Sequence, residues 1–405
     1  MTDVLSQLPE FPMPRDPKCP FDPPPDLKQL RAEAPVTRVR LEDGLTAWLI
    51  TRYEDQREIL SDPRITAETT HPNYPHASIG IKPVQQASRT IFTMDNPDHD
   101  NYRRMLTKDF MAKRVQALRP RIQEIVDGFI DDLLARTPPV DFLETFALQI
   151  PSLVICEILG VPYADHGFFQ ERARVFFSRT ATREENIKAA KDLGDFIAKL
   201  ADEKDREPTD DLISRLVVNQ MRKGTMTRDE VVDTARTLLV GGHETTASMI
   251  ALSTLAWLRH PEQLDEIRES DDPQLIANAV EEMLRYLHVT HNGRRRVALE
   301  DIEIGGQLIK AGEGIIAAND AGNRDETVFP DPDVLDIHRN ARHHIAFGYG
   351  IHQCLGQQLA RVELQVIYST LFRRIPTLRL AIPFEKVPFK NTMIVYGVHE
   401  LPVTW

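Results

Sequence analysis

The stretch Phe347-Gly348-Tyr349-Gly350-Ile351-His352-Gln353-Cys354-Leu355-Gly356 sets one cysteine in a glycine-bent loop that runs straight into a helix. After Leu355, apolar residues recur at Leu359, Val362, Val366 and Ile367, the spacing of one helical face. Cys354 therefore stands at a helix start, among unpaired backbone N–H groups and the positive end of the helix dipole. That setting is expected to lower the thiol pKa and to yield a thiolate, the form that binds metal. Gly348, Gly350 and Gly356 let the backbone come close to something bulky. A lone cysteine beside a turn is ordinarily a buried structural residue. Three glycines, with Phe347 and His352 upstream of the sulfur, point instead to a thiolate presented to a flat cofactor.

Moving outward, Thr227-Arg228-Asp229-Glu230 is a capping box and Arg259-His260-Pro261 a fitting stop. Between them the sequence predicts one helix, roughly 50 Å long at the standard rise. From 238 to 258 it is apolar or small almost all round, the pattern of a core helix. Its centre nevertheless reads Gly241-Gly242-His243-Glu244-Thr245-Thr246. Interior glycines cost about 1 kcal/mol each relative to alanine, and an unpartnered buried carboxylate costs more. A tight helix–helix contact would explain the glycines but not an acid beside two hydroxyls. The centre reads better as a passage close to a cofactor or substrate. Gly241 and Thr245 share a face there, the threonine hydroxyl diverts a carbonyl bond, and Glu244 and Thr245 form a proton-delivery pair.

A further helix opens at Asp272-Pro273, with Leu275, Ile276, Ala279, Val280, Met283, Leu284 and Leu287 as its core stripe. Glu282 and Arg285 fall outside that stripe at i,i+3. By spacing alone they make an ordinary surface ion pair, worth about 0–1 kcal/mol.

The net charge of −12 supplies no global basic field and argues against a nucleic-acid partner. Cys19, Cys156 and Cys354 are odd in number and far apart, so no disulfide framework is expected, which fits a reducing cytoplasm. The N-terminus has neither a basic nor an apolar leader region. No apolar run reaches the about 18 residues of a membrane span, so no membrane association is expected.

The expected architecture is mainly α with a smaller β region, in a single domain over residues 1–405. Residues 1–35 form a proline-rich wrap that cannot be regular helix from 9 to 35. Segments 36–41 and 46–51 read as a hairpin, and 64–92 as a long substrate-access loop. Residues 97–290 read as helical, with 202–211 an exposed connection. Short strands follow 296, then one more helix.

Taken in order, Gly-Gly-His-Glu-Thr-Thr, Glu-x-x-Arg and Phe-Gly-x-Gly-x-His-x-Cys-x-Gly resemble the cytochrome P450 family, the haem-thiolate monooxygenases. The likeness covers nearly the whole chain and is closest to the soluble actinobacterial group containing vitamin D, herbicide and macrolide hydroxylases. The Cys loop is highly specific; Glu-x-x-Arg alone is weak. The resemblance implies the P450 fold, with haem b between the long central helix and the Cys-loop helix. It implies Cys354 as the axial ligand to iron, with thiolate donation that favours O–O cleavage. Glu244 and Thr245 match the family's acid–alcohol pair. Glu282, Arg285 and Arg339 match its structural network.

For the haem propionates the resemblance implies His99, Arg103, Arg296 and His352, with Arg294 and Arg295 competing for the register of Arg296. Phe347 is expected to pack against the haem, and Gly241, Gly348 and Gly356 to leave it room. His288, Thr290, His291 and Asn292 fall on either a substrate-lining segment or the surface. The implied activity is hydroxylation of a bulky, largely apolar small molecule by a monomer. Electrons would come from NAD(P)H through a ferredoxin reductase and a ferredoxin, docked on Arg103, Arg104, Lys108, Lys113, Arg114, Arg339 and Arg342. Nitric oxide reduction, peroxide-driven oxidation and a non-catalytic haem sensor stay open beside it. A zinc site built on His352 and Cys354 is poorly supported, because the pair supplies only two ligands.

Overall fold

The computed structural model describes residues 7–405. The central helix runs unbroken from Arg228 to Arg259. Both halves of its capping box form: Thr227 Oγ1 accepts from the Glu230 N–H at 3.2 Å, and a Glu230 carboxylate oxygen accepts from the Thr227 N–H at 2.6 Å. Residues Thr246 to Trp257 along it are all buried. Around it pack the helices Gln149–Leu159, His166–Phe177 and Arg183–Arg206. The Cys-loop helix, Gln357–Arg374, packs against Ala112–Leu134 and Pro273–Tyr286. These helices share the largest hydrophobic core, which closes around Trp257 and Tyr368, in edge contact at 5.6 Å.

The β region is small and lies to one side. Its five-stranded sheet runs Val36–Arg40, Thr46–Ile50, Gly314–Ala317, Arg294–Ala298 and Ile65–Thr66 in spatial order. Thr46–Ile50 and Gly314–Ala317 pair in parallel, and the other pairings are antiparallel. The register Arg294↔Ala317, Arg295↔Ile316 and Arg296↔Ile315 turns Arg295 to the face opposite its two neighbours. Among the described residues no helix is long and apolar enough to cross a membrane.

Three expectations need correction. The proline-rich stretch contains a helix, Pro25–Glu33, because proline at the first helical position loses no bond that helix would make. Residues 202–206 continue the preceding helix to Arg206, and Asp211 is buried, where it caps the next helix through Ser214 N–H at 2.7 Å. The 64–92 segment is not one open loop. It holds the strand Ile65–Thr66 and the helix Lys82–Ala87, and it buries Tyr74, His76, Ile81 and Ile91. Its fixed points are distant in sequence: Arg295 donates to Pro75 O at 2.6 Å and to His76 O at 2.8 Å.

Candidate active site

The Cys354 N–H donates to Phe347 O at 2.9 Å and Gly348 N–H to Ile345 O at 2.9 Å, which folds the loop back on itself. Gly348 and Gly350 take left-handed backbone angles, φ +76° and +71°. A Cβ on Gly350 would lie 2.1 Å from Leu60 O, so this glycine seats the loop on the helix Tyr53–Ser61. On Gly356 an added Cβ would meet nothing within 4 Å.

The helix itself starts at Gln357, two residues after Gly356's predecessor Leu355. Burial pushes the Cys354 thiol pKa up. Arg294, the Gly356 N–H, Arg103 and Arg361 oppose that shift without reversing it. The expected low thiol pKa is therefore not met by the polypeptide alone, because desolvation outweighs the helix start. A thiolate here calls for a stronger cation, such as a coordinated metal.

Several residues deep in the molecule keep accessible surface: Cys354, Arg294, Gly241 and Thr245. We infer from their partial accessibility a recess between the Cys loop and the central helix. The groups around it suit an anionic, flat group. Among the described residues, both ring nitrogens of His99 are buried without a hydrogen-bond partner, Asp100 being 3.5 Å from Nδ1. Nδ1 of His352 is likewise unpartnered, and the two rings touch at a centroid distance of 4.6 Å. Arg103 donates to Gln353 O at 2.8 Å. Arg294 and Arg296 share one strand face, while Arg295 turns to Pro75 and His76. Among the described residues none of Arg103, Arg294 and Arg296 is placed in an ion pair, so these donors have no carboxylate to match them there.

On the central helix, Thr245 Oγ1 donates to Gly241 O at 2.9 Å. The two glycines differ. A Cβ on Gly242 would lie 2.9 Å from Ile155 Cγ1, so Gly242 serves helix packing. On Gly241 it would touch only the Phe92 ring, at 3.8 Å. Phe92, whose ring reaches the middle of this core helix, is itself 49% exposed. Glu244 is 2% exposed and accepts from Lys390 Nζ at 2.6 Å. Burial alone would raise the Glu244 pKa, but Lys390 brings it below the usual carboxylate value. Glu244 and Thr245 are thus adjacent in sequence but bonded to different partners.

The Glu282–Arg285 pair is not a surface bridge. Both side chains are fully buried, with Arg285 Nε and Nη2 each 2.7 Å from a Glu282 oxygen. Arg285 also donates to the carbonyls of Asn323, Pro332 and Val334 at 3.0, 2.8 and 3.2 Å. Arg339 joins at 3.3 Å from Glu282. In the polar 288–292 stretch His288, His291 and Asn292 are buried and Thr290 is half-buried. His291 donates through Nε2 to Met393 O at 2.8 Å and Asn292 to Ile394 O at 3.1 Å, clamping the 392–394 turn. Sequence reading missed Lys390, 146 residues from its partner. It also missed Glu281, His344 and Arg361, which meet behind the Cys loop.

A half-buried cysteine loop facing a donor-lined recess under a long helix defines, by class, a haem-thiolate protein. The comparisons agree. A family model described as Cytochrome P450 matches residues 164–377. Cytochrome P450 GfsF of Streptomyces halstedii is 50% identical over 405 residues, covering 100% of this chain and 98% of that protein. The GfsF crystal structure superposes with a TM-score of 0.92 over 98% of this chain and 100% of that one. The vitamin D3 dihydroxylase of Streptomyces griseolus is 45% identical, with 100% and 98% covered. The mycinamicin VIII C21 methyl hydroxylase MycCI of Micromonospora griseorubida, solved with mycinamicin VIII bound, is 39% identical. Its TM-score is 0.92, covering 98% of this chain and 100% of that one. The chain belongs to the cytochrome P450 family and is a bacterial P450 monooxygenase, and membership implies a haem-thiolate cofactor.

Proposed function

We propose that the protein hydroxylates a bulky, largely apolar small molecule, taking two electrons from NAD(P)H through a ferredoxin reductase and a ferredoxin. Bound haem supplies O₂ activation at an iron enriched by thiolate donation. In this reading Cys354 holds the iron, while His99, Arg103, Arg296 and His352 hold the propionates. Phe347 packs against the macrocycle, and Gly241, Gly348 and Gly356 admit it. Thr245 holds a proton at Oγ1 on the helix side, and Glu244, ionised against Lys390, keeps that groove polar and relays to it a proton taken from the Lys390 ammonium. The observation that carries the reading is the Thr245–Gly241 bond beside the open face of Gly241, next to an acid that stays ionised in the core. Relatives named for vitamin D3 and mycinamicin VIII support a bulky substrate.

Arg104, Lys108, Lys113, Arg114 and Arg342 are exposed and suit an acidic ferredoxin. Arg103 and Arg339 are half-buried and engaged internally, so their part in docking is minor. The protein acts as a monomer in the cytoplasm, with 1–405 as one domain and 64–92 bordering substrate entry.

The test is the Thr245→Ala variant with a ferredoxin, its reductase and a ligand found by difference-spectrum screening. Product per electron should fall about tenfold, less than the hundredfold or more of a sole proton donor because water substitutes in part, and peroxide should appear. Unchanged coupling would remove the proton-delivery role. Turnover by peroxide alone, with none from the electron chain, would replace monooxygenation by peroxygenation.

A further inference from the structure

A buried polar cluster lies behind the Cys loop, outside the donors assigned to the haem. Glu281 precedes the Glu282–Arg285 pair but points to the Cys-loop helix. Its Oε1 accepts from Arg361 Nε at 2.6 Å, and its Oε2 from Arg361 Nη2 at 3.0 Å. The same Oε2 lies 3.1 Å from His344 Nε2. His344 Nδ1 accepts the Ala346 N–H at 3.1 Å, which places the imidazole proton on Nε2, toward the carboxylate. Side-chain exposures of 1% for His344, 8% for Glu281 and 17% for Arg361 keep water from screening the cluster.

Phe347 is the link to the sulfur. The Arg361 guanidinium lies 4.6 Å from the Phe347 ring centroid, and the His344 ring lies 5.7 Å from it. The Phe347 carbonyl holds the Cys354 N–H at 2.9 Å. One carboxylate therefore orients an imidazole and a cation, and both press on the residue that fixes the cysteine amide. Arg361 is also among the cations whose charge favours the Cys354 thiolate.

We propose that Glu281, His344 and Arg361 are positioning residues that set the electron donation of Cys354. Arg361 supplies a positive field beneath the sulfur, Glu281 limits that field, and His344 fixes the loop. The proposal rests on the reading of Cys354 as the haem ligand. A purely structural staple would tie the same two helices together but would not care about the sign of the charge removed. The reduction potential does care, because reduction adds negative charge at the iron–thiolate unit. Loss of a nearby anion should raise the potential, and loss of a nearby cation should lower it.

The experiment measures the reduction potential of the holoenzyme for wild type, Glu281→Gln, Arg361→Gln and the double variant, with the reduced carbon monoxide spectrum of each. The expected result is a positive shift in E281Q, a negative shift in R361Q, and a double variant close to wild type. Loss of haem from E281Q with its recovery in the double variant is the same result in another form. Single variants that shift in the same direction, or not at all, while keeping the thiolate spectrum, overturn the proposal. So does loss of haem from both E281Q and the double variant. A wild type without the thiolate spectrum would instead overturn the reading of Cys354 itself.

Discussion

The two sides of the recess are built differently. Behind the Cys loop the acids are locked in reciprocal pairs: Glu282 with Arg285 and Arg339, Glu281 with Arg361 and His344. On the central-helix side a single buried ion pair, Glu244–Lys390, stands behind Thr245, Gly241 and a half-exposed Phe92. A ligand to iron must be held in one geometry, and dense reciprocal ion pairs do that at the cost of desolvation. A surface that admits different substrates cannot be held so tightly. The contrast says where buried ion pairing is concentrated.

Breaking the locked side should have the largest effect. Arg285→Ala leaves Glu282 fully buried and without its main partner, and it frees three carbonyls. A loss of about 3–5 kcal/mol is expected, read as a lower midpoint in denaturant titration with haem release. A loss below about 1 kcal/mol, the range of surface pairs, would erase the contrast.

Acid should sharpen it. Burial would raise the Glu281 pKa, but His344 and Arg361 bring it down to about 2, from 4.5. A carboxylate depressed in the folded state contributes stability above its unfolded pKa and loses it as pH falls through the folded value. About 3 kcal/mol should therefore disappear between about pH 4.5 and 2, and Glu281→Gln should flatten that part of the stability curve.

The smallest effect is expected on the helix side. Lys390→Met leaves Glu244 without its cation, but a lone carboxyl can take up a proton and become neutral. The cost should be about 2 kcal/mol, below that of Arg285→Ala. The acidic limb of the turnover profile should also move to higher pH, since Glu244 no longer stays ionised.

Much of this was legible in the chain. The capping box at Thr227 and the proline-started helix are local signals and begin where they were expected, and the Cys loop leads into a helix that starts three residues after Cys354. Gly241 and Gly242 look alike in sequence; only the neighbours, Phe92 and Ile155, separate their roles. Three consecutive arginines could not be ranked until strand pairing turned Arg295 away. Lys390, His344 and Arg361 carry no periodic or motif signal, because their meaning lies in partners 63 to 146 residues distant. The thiol pKa went the other way for a related reason: a helix start is visible in sequence, whereas the depth of burial is not.

The central claim is that Cys354 holds a haem through its sulfur. Purified protein, reduced and exposed to carbon monoxide, should show the red-shifted Soret band of thiolate-bound haem, and Cys354→Ser should abolish it. A wild type that binds no haem on reconstitution, or whose band is unshifted and unaffected by C354S, would contradict the account.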